Sequence, residues 1–196
     1  MLRVNLVLVM LFVSCSVLAA GNSFGVGVGN DSSGGLAYEP WVKTAKVGDF
    51  IIFKDNSGTT QRKEVKTIEP NFVIVEFGNS KFTEKQKYSR KEAPVESYEL
   101  DMKQTNSGTI QINDKTLKCV TYDGYVKKIS MVSGCHGGTK KSVQKGPRYQ
   151  KVIGEGVPFG GVIKKFYAAK EGKDEKLELT FEVTDFGNVN DAKTKK

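Results

Sequence analysis

The sequence is poor in the residues that carry enzyme chemistry. Its 196 residues include one histidine and three cysteines. His136 directly follows Cys135, and neighbouring residues of an extended chain point to opposite faces, so these two side chains are badly placed to act on each other. Together with Cys119 they are also too few ligands for a zinc site. The sequence therefore predicts no catalytic residue, no cofactor site and no metal site.

A sustained helical period is also missing, so we expect little helix. Apolar residues instead alternate along the chain, most clearly at Leu177, Leu179, Phe181 and Val183, where they are separated by charged or hydroxyl-bearing residues. This period of two is typical of a strand with one buried and one solvated face. About nine short strands are predicted, which favours an all-β, mainly antiparallel fold: a curved meander sheet forming a half-barrel or a sandwich.

Turn and loop signals divide the chain into these strands. Asp123-Gly124 separates two alternating runs, which is a strong signal for a two-residue hairpin. The polar stretch 83–94 is predicted as a surface loop or a frayed helix, and 134–146 as a second loop. The predicted strands are 49–54, 60–68, 71–77, 95–102, 108–112, 115–122, 125–132, 157–166 and 176–185.

The first 20 residues have the pattern of a secretory signal peptide. Arg3 forms a short basic start, an apolar run follows, and small residues end it at Ala19 and Ala20, after either of which we expect cleavage. The apolar run is too short for a comfortable membrane span. The pattern predicts export, to the periplasm or out of the cell.

A lipoprotein signal is the competing interpretation. Phe12-Val13-Ser14-Cys15 has the shape of a lipobox, in which Cys15 would be acylated and tether the protein to the outer membrane or envelope. Phenylalanine is a poor residue three positions before that cysteine, and the chain would then start with an apolar segment. We therefore favour the signal peptide at 1–20.

The rest of the chain divides by composition. Residues 21–40 are rich in glycine and serine and are predicted to form a flexible arm. Residues 41–187 carry the strand pattern and are predicted to form a single β-rich domain. Residues 188–196 form a charged tail.

The charge of the exported chain is basic. Loss of Arg3 leaves 29 of the 30 basic residues against 22 acidic ones, or about +7. Lysine heavily outnumbers arginine, whereas specific reading of bases or phosphates favours arginine. We therefore expect a solvated basic surface with weak attraction to anionic polymers or lipid head groups, and no specific nucleic-acid partner.

Cys119 and Cys135 could form a disulfide in an oxidising compartment. The bridge would contribute about 3 kcal/mol. The predicted hairpin at Asp123-Gly124 opposes it, because it places Cys119 opposite Lys128 and Cys135 on the order of 20 Å away, against the roughly 5.5 Å between Cα atoms that a bridge needs. Only a chain reversal after about Met131 is compatible with both the hairpin and the disulfide, so the sequence does not decide whether the disulfide forms.

Three patches of the sequence resemble a family of secreted proteins of unknown function from planctomycete-type bacteria. They are 47–54 with the strand 64–68 after it, Lys115–Cys119, and the ending Val-Pro-Phe-Gly-Gly-Val-Ile-Lys at 157–164 followed by Asp-Phe-Gly at 185–187. The family usually carries tryptophan with serine or cysteine ahead of Val-Pro, and this chain does not. The resemblance implies a curved sheet similar to periplasmic lipoprotein-carrier half-barrels, and no known reaction.

These observations favour an exported, non-enzymatic protein. Its concave sheet would bind an apolar small molecule, a lipid or an extended peptide in a groove lined by Phe50, Phe72, Tyr98 and Phe166. The alternative is an envelope or cell-surface interaction module that uses its lysines on anionic polymers. An enzyme that depends on Cys135 is the least favoured interpretation.

Overall fold

The computed structural model describes residues 36–95, 97–133, 139–168 and 176–191, which form one antiparallel sheet. The strand order β4-β3-β2-β1-β9-β8-β7-β6-β5 leaves β4 and β5 at the edges. Two 3-10 helices lie at Pro40–Lys43 and Phe159–Gly161. The strands are β1 Asp49–Asp55, β2 Thr60–Ile68, β3 Phe72–Gly78, β4 Thr83–Ser89, β5 Glu99–Ile112, β6 Lys115–Ser133, β7 Thr139–Gly154, β8 Val162–Ala168 and β9 Leu177–Asn188.

The prediction of an all-β, mainly antiparallel fold with little helix is confirmed. All neighbouring strands in the sheet run antiparallel. In the part of the chain that the structure describes, no helix is long and apolar enough to cross a membrane.

The sheet curves back on itself. Ile112 at the end of β5 packs in the same buried cluster as Ile51 and Phe53 of β1, although four strands lie between β5 and β1. At the start of β6, the Lys115 ammonium donates to the main-chain oxygen of Phe186 on β9 and lies 4.3 Å from that residue's ring. A single curved, unclosed sheet is therefore the architecture, rather than two packed sheets.

The segment before β1 covers one end of this curved sheet. Its chain runs beside the edge strand β4, where the Ser89 amide donates to the Ala37 carbonyl oxygen at 2.7 Å. Trp41 then stacks edge-on against Tyr88, with ring centroids 5.1 Å apart. Val42 is 1 % exposed and packs with the buried valines of β2 and β3. The segment thus closes the core over β2, β3 and β4.

The predicted hairpin at Asp123-Gly124 is wrong, because β6 runs unbroken through it. The Asp123 carboxylate is held by the Arg148 guanidinium of β7, with Nε donating at 3.0 Å. Gly124 does not form a turn but lets β5 and β6 approach closely, because a Cβ on it would lie 2.6 Å from Sδ of Met102 on β5. The two strands predicted at 115–122 and 125–132 are therefore one continuous strand. Strand β5 likewise joins residues 99–102 and 108–112, which were predicted to lie in separate strands.

The predicted loops at 83–94 and 134–146 are wrong at 83–89 and at 139–146, whereas 90–94 form an exposed loop as predicted. Residues 83–89 form β4, an edge strand whose one buried side chain is Tyr88. Residues 139–146 form the first half of β7, in which 139–145 pair with β6 residue by residue. Residues 134–138 lie outside the described part. Both stretches lack an apolar stripe because an edge strand and a two-stranded ribbon bury little.

Strand β8 starts later than predicted. The stretch 157–161 was expected to begin it, but β8 begins at Val162. Phe159, Gly160 and Gly161 have φ values of 59°, 83° and 79°. Left-handed backbone of this kind ends a strand, and at a phenylalanine it is uncommon and strained.

Ile163 is completely buried, so its side chain should carry a large share of the core's stability. We expect Ile163→Ala to lower the free energy of unfolding by about 2–5 kcal/mol, because the cavity adds to the lost burial. Leu179→Ala is the matched control: Leu179 is 44 % exposed, and its loss should change stability by less than about 1 kcal/mol. Urea titration measures both; equal effects would contradict the assigned core.

Candidate anion-binding site

Lys63 on β2 is enclosed by aromatic rings. It pairs across the strands with the buried Ile51 of β1, so its side chain points to the face of the sheet that carries the core. The Lys63 ammonium lies 5.2 Å, 5.0 Å and 4.8 Å from the ring centroids of Trp41, Tyr88 and Phe159. It also donates a hydrogen bond to the Tyr88 hydroxyl at 3.3 Å. The lysine is therefore held as a cation in an aromatic box.

The strained turn before β8 builds one wall of this box. The backbone of Phe159 is left-handed, with glycines on both following positions, and its ring lies 4.9 Å from that of Trp41. The Val-Pro-Phe-Gly-Gly stretch thus aims an aromatic side chain at Lys63. Strain of 1–3 kcal/mol at such a residue persists only where surrounding contacts hold it.

Lys63 has no carboxylate within 4.0 Å among the residues that the structure describes. The pKa of Lys63 is lowered to about 8, mainly by burial; the charge of Glu39 opposes this shift and that of Lys165 adds to it. Cation–π contacts with the rings contribute roughly 0.5–2 kcal/mol each. They do not replace the hydration that the ammonium has lost, so the site favours an incoming negative charge.

Lys165 on β8 is the second half-buried lysine of the same face. It pairs with Phe181 of β9 and with Lys151 of β7, and its ammonium lies 5.4 Å from the Phe181 ring. Within the described ranges its ammonium has neither a hydrogen bond nor an ion pair. Burial lowers the pKa of Lys165, Lys151 lowers it further, and Glu99 and Glu39 raise it.

Lys151 differs from the other two because it has a direct counterion. Its ammonium lies 2.5 Å from Oε2 of Glu99, and the two side chains are 18 % and 14 % exposed. It also lies 5.8 Å from the Tyr122 ring. Since this pair neutralises itself, the positive charge left at the site belongs to Lys63 and Lys165, with Glu39 as their distant counterion.

Three tyrosines flank Lys165. The ring of the fully buried Tyr149 lies 4.8 Å from that of Tyr167 and 6.0 Å from that of Tyr98. The hydroxyls of Tyr98 and Tyr149 are 3.4 Å apart. Burial raises the pKa of Tyr149 and of Tyr167, so both phenols stay neutral. They supply apolar ring surface and neutral hydroxyls beside the lysine.

An open depression of about 630 Å³ is lined by residues of β5, β6 and the end of β7. The pair Val120–Ile153 lines it, and this pair is two residues from the pair Tyr122–Lys151 along β6 and β7. The two pairs therefore share a face and lie about 7 Å apart. Ser107 and Gly108 are small residues of its lining, and a Cβ on Gly108 would meet no atom within 4 Å. An apolar group could lie in it while an attached acid reaches the lysines.

A second depression, of about 280 Å³, is lined by Ile52, Arg62, Glu64 and Glu76 among others. Its charges are already satisfied: Glu64 accepts from Arg62 at 2.8 Å and from Lys66 at 2.7 Å. Because these groups neutralise one another, this depression is the weaker candidate.

The four predicted groove residues do not line one surface. Phe50, Phe72 and Phe166 alternate with core-facing neighbours and lie on the opposite face, where Arg62 stands 4.2 Å from the Phe50 ring and Lys87 stands 4.9 Å from the Phe72 ring. Tyr98 alone joins the site, through Tyr149. The remaining candidates Cys15, Cys135 and His136 lie outside the described residues.

Cys119 lies half-buried in the wall of the larger depression, with its thiol free. Fourteen residues of continuous strand separate it from Ser133, a span of about 46 Å at the rise of a β-strand. Cys135 follows only two residues after Ser133. Since a bridge needs Cα atoms roughly 5.5 Å apart, the length of β6 disfavours a disulfide between Cys119 and Cys135 in one chain.

Lys63 and Lys165 were missed in the sequence because lysines were assigned to the solvated surface. A signal for them exists. Arg62-Lys63 and Lys164-Lys165 are consecutive basic pairs inside strands, and a period of two sends one member of each pair to the core face. Only the register shows which member it is.

The lowered pKa of Lys63 predicts how stability depends on pH. Between about pH 8 and pH 10 the unfolded chain keeps a proton on Lys63 that the folded protein has released, so folded stability should rise by about 2 kcal/mol. Above that range tyrosines reverse the trend, since burial raises the pKa of Tyr88 to about 12. In Lys63→Met most of the rise should disappear, as measured by urea unfolding across the range.

Lys54→Met is the control for this measurement, because Lys54 is exposed on β1 and its loss should leave the rise intact. Any rise that remains in Lys63→Met reports Lys165, whose pKa is lowered in the same direction. An unchanged pH profile in Lys63→Met would mean that Lys63 titrates as an exposed lysine does.

In the described part of the chain, no group of three His, Cys, Asp or Glu side chains is arranged to hold a metal ion. No family model matches the chain, and no curated protein and no solved structure matches it. The resemblance to planctomycete-type secreted proteins therefore stays a prediction.

Proposed function

We propose that this chain is an exported, non-enzymatic binding protein for an extended apolar molecule that carries one acidic group. The acid binds between Lys63 and Lys165, and the apolar part lies along the face of the sheet into the depression beside Val120 and Ile153. One observation carries the proposal: two half-buried lysines share this face, and neither has a carboxylate at ion-pair distance within the described residues.

A bound anion offsets what the lysines lose on folding. An ammonium that is removed from water without a partner is costly, and a carboxylate or phosphate restores both charge balance and strong hydrogen bonds. The charge of Lys165 lowers the pKa of Lys63, so it disfavours the charged form of Lys63. Glu39 offsets this effect only in part, and an anion placed between the two lysines would relieve the repulsion directly.

Aromatic side chains next to the lysines support an apolar ligand body. Phe181 packs on Phe53 with ring centroids 4.7 Å apart, and Phe53 stacks on Phe77 at 6.1 Å. The Tyr98–Tyr149–Tyr167 group borders Lys165 on the other side. Pockets for small molecules commonly combine such apolar walls with a few polar groups that fix orientation.

Binding suits these lysines better than amine catalysis. A lysine nucleophile must be neutral, and with a pKa of about 8 only about a tenth of the Lys63 side chains are neutral at pH 7. The cation is the main form, and a cation recognises an acid. Export is supported by the signal-peptide pattern of residues 1–20.

Palmitic acid and hexadecanol test the proposal, because they share a chain and differ in the acid. We expect the full protein to bind palmitic acid at least about tenfold more tightly than hexadecanol, which corresponds to one additional ion pair. Trp41 is the single tryptophan of the chain and lies 5.2 Å from the Lys63 ammonium, so its fluorescence reports binding at the site.

The variant Lys63→Met/Lys165→Met should bind palmitic acid no better than hexadecanol. The matched control Lys54→Met/Lys85→Met removes two exposed lysines and should behave as the unaltered protein does. Equal affinity of the unaltered protein for the two compounds, or undiminished binding of the acid by the first variant, would refute the proposal.

A further inference from the structure

Strands β6 and β7 extend beyond the rest of the sheet as a two-stranded ribbon, residues 127–133 paired with 139–145. The first residue of β5, Glu99, pairs with Val126, and the pairing of β7 with β8 ends at Tyr149–Tyr167. Among the described residues, the Lys127 amide donates to the Tyr98 carbonyl oxygen at 2.7 Å, and beyond it the ribbon strands pair only with each other. Seven residues of strand reach about 23 Å from the body.

The ribbon concentrates the positive charge of the chain. Positions 127–145 contain no Asp or Glu and five lysines, so they carry +5 of the chain's formal net charge of +8. The Asp101 carboxylate of β5 lies 2.7 Å from the Lys145 ammonium, and the two side chains are 46 % and 58 % exposed. Such an exposed pair is weak and leaves the field of the ribbon positive.

An exposed apolar pair lies within this charge. Ile129 and Val143 are cross-strand partners, and each is 47 % exposed. The next pair on the same face is Lys127–Lys145, and Lys141 lies on that face beyond Val143. One face of the ribbon thus has an apolar centre between lysines.

We propose that this face docks on an anionic lipid surface. Ile129 and Val143 would enter the boundary between head groups and acyl chains, while Lys127, Lys141 and Lys145 lie against lipid phosphates. This combination of apolar burial and lysine–phosphate attraction is how amphipathic elements bind membrane surfaces. The apolar pair favours a lipid surface over a soluble anionic polymer, because attraction to a polymer needs the lysines alone.

Sedimentation with vesicles tests the docking. The full protein should bind vesicles of phosphatidylglycerol mixed with phosphatidylcholine and not vesicles of phosphatidylcholine alone. Because each lysine near an anionic surface contributes about fivefold to partitioning, Lys127→Gln/Lys141→Gln/Lys145→Gln should weaken binding about a hundredfold. The control Lys54→Gln/Lys85→Gln/Lys118→Gln removes three exposed charges elsewhere and should weaken binding much less.

A second variant separates lipid docking from general charge attraction. Ile129→Ser/Val143→Ser keeps the net charge and should lower vesicle binding about tenfold, while binding to the soluble polyanion heparin stays unchanged. Unchanged vesicle binding by this variant, or equal losses in the two lysine variants, would overturn the proposal in favour of a general polyanion surface. Trp41 fluorescence confirms that each variant is folded, and it is independent of the ribbon because Trp41 packs at β4.

Discussion

The contact of Ile112 with Ile51 and Phe53 is the packing on which the rest of the structure depends. It brings the end of β5 onto β1 across four intervening strands, and no local interaction of an extended chain would do so. Once the sheet curves in this way, one of its faces must be buried, and every side chain on that face shares the apolar surroundings of the core. Lys63 and Lys165 lie on this face. The curvature that completes the core therefore also removes their two ammonium groups from much of the solvent.

The protein handles its lysines in two different ways. On the core face, Lys151 has the carboxylate of Glu99, whereas Lys63 has three aromatic rings and a tyrosine hydroxyl. Aromatic rings stabilise a cation without neutralising its charge, so the positive charge of Lys63 and Lys165 can still attract an anionic ligand. On the ribbon, Lys127, Lys141 and Lys145 lie on the same face as the exposed apolar pair Ile129–Val143. The first arrangement suits one small acid, and the second suits an extended anionic surface.

Strain and burial at the lysine site reduce stability, and a binding function gives a physical reason for retaining them. Phe159 holds a left-handed backbone in order to place its ring at Lys63, and Lys63 folds with its pKa lowered to about 8. Functional sites are where such departures from the most stable arrangement concentrate. Replacement of Lys63 by an apolar residue would therefore make the protein more stable and less able to bind an acid.

The sequence by itself determined that the chain is a sheet protein, because alternation is local: Leu177, Leu179, Phe181 and Val183 show it without reference to any partner. It also predicted β1, β2, β3 and β9 to within a few residues. Hydrogen-bond pairing between neighbouring strands decided the remaining elements. The polar β4 and the first half of β7 are strands because a neighbour offers hydrogen bonds to them, and Asp123-Gly124 stays extended because Arg148 and Met102 lie across from it. The register between strands also determined which residue of each basic pair, Arg62-Lys63 and Lys164-Lys165, faces the core. No property of a single strand contains that choice, so only the tertiary structure could place the site.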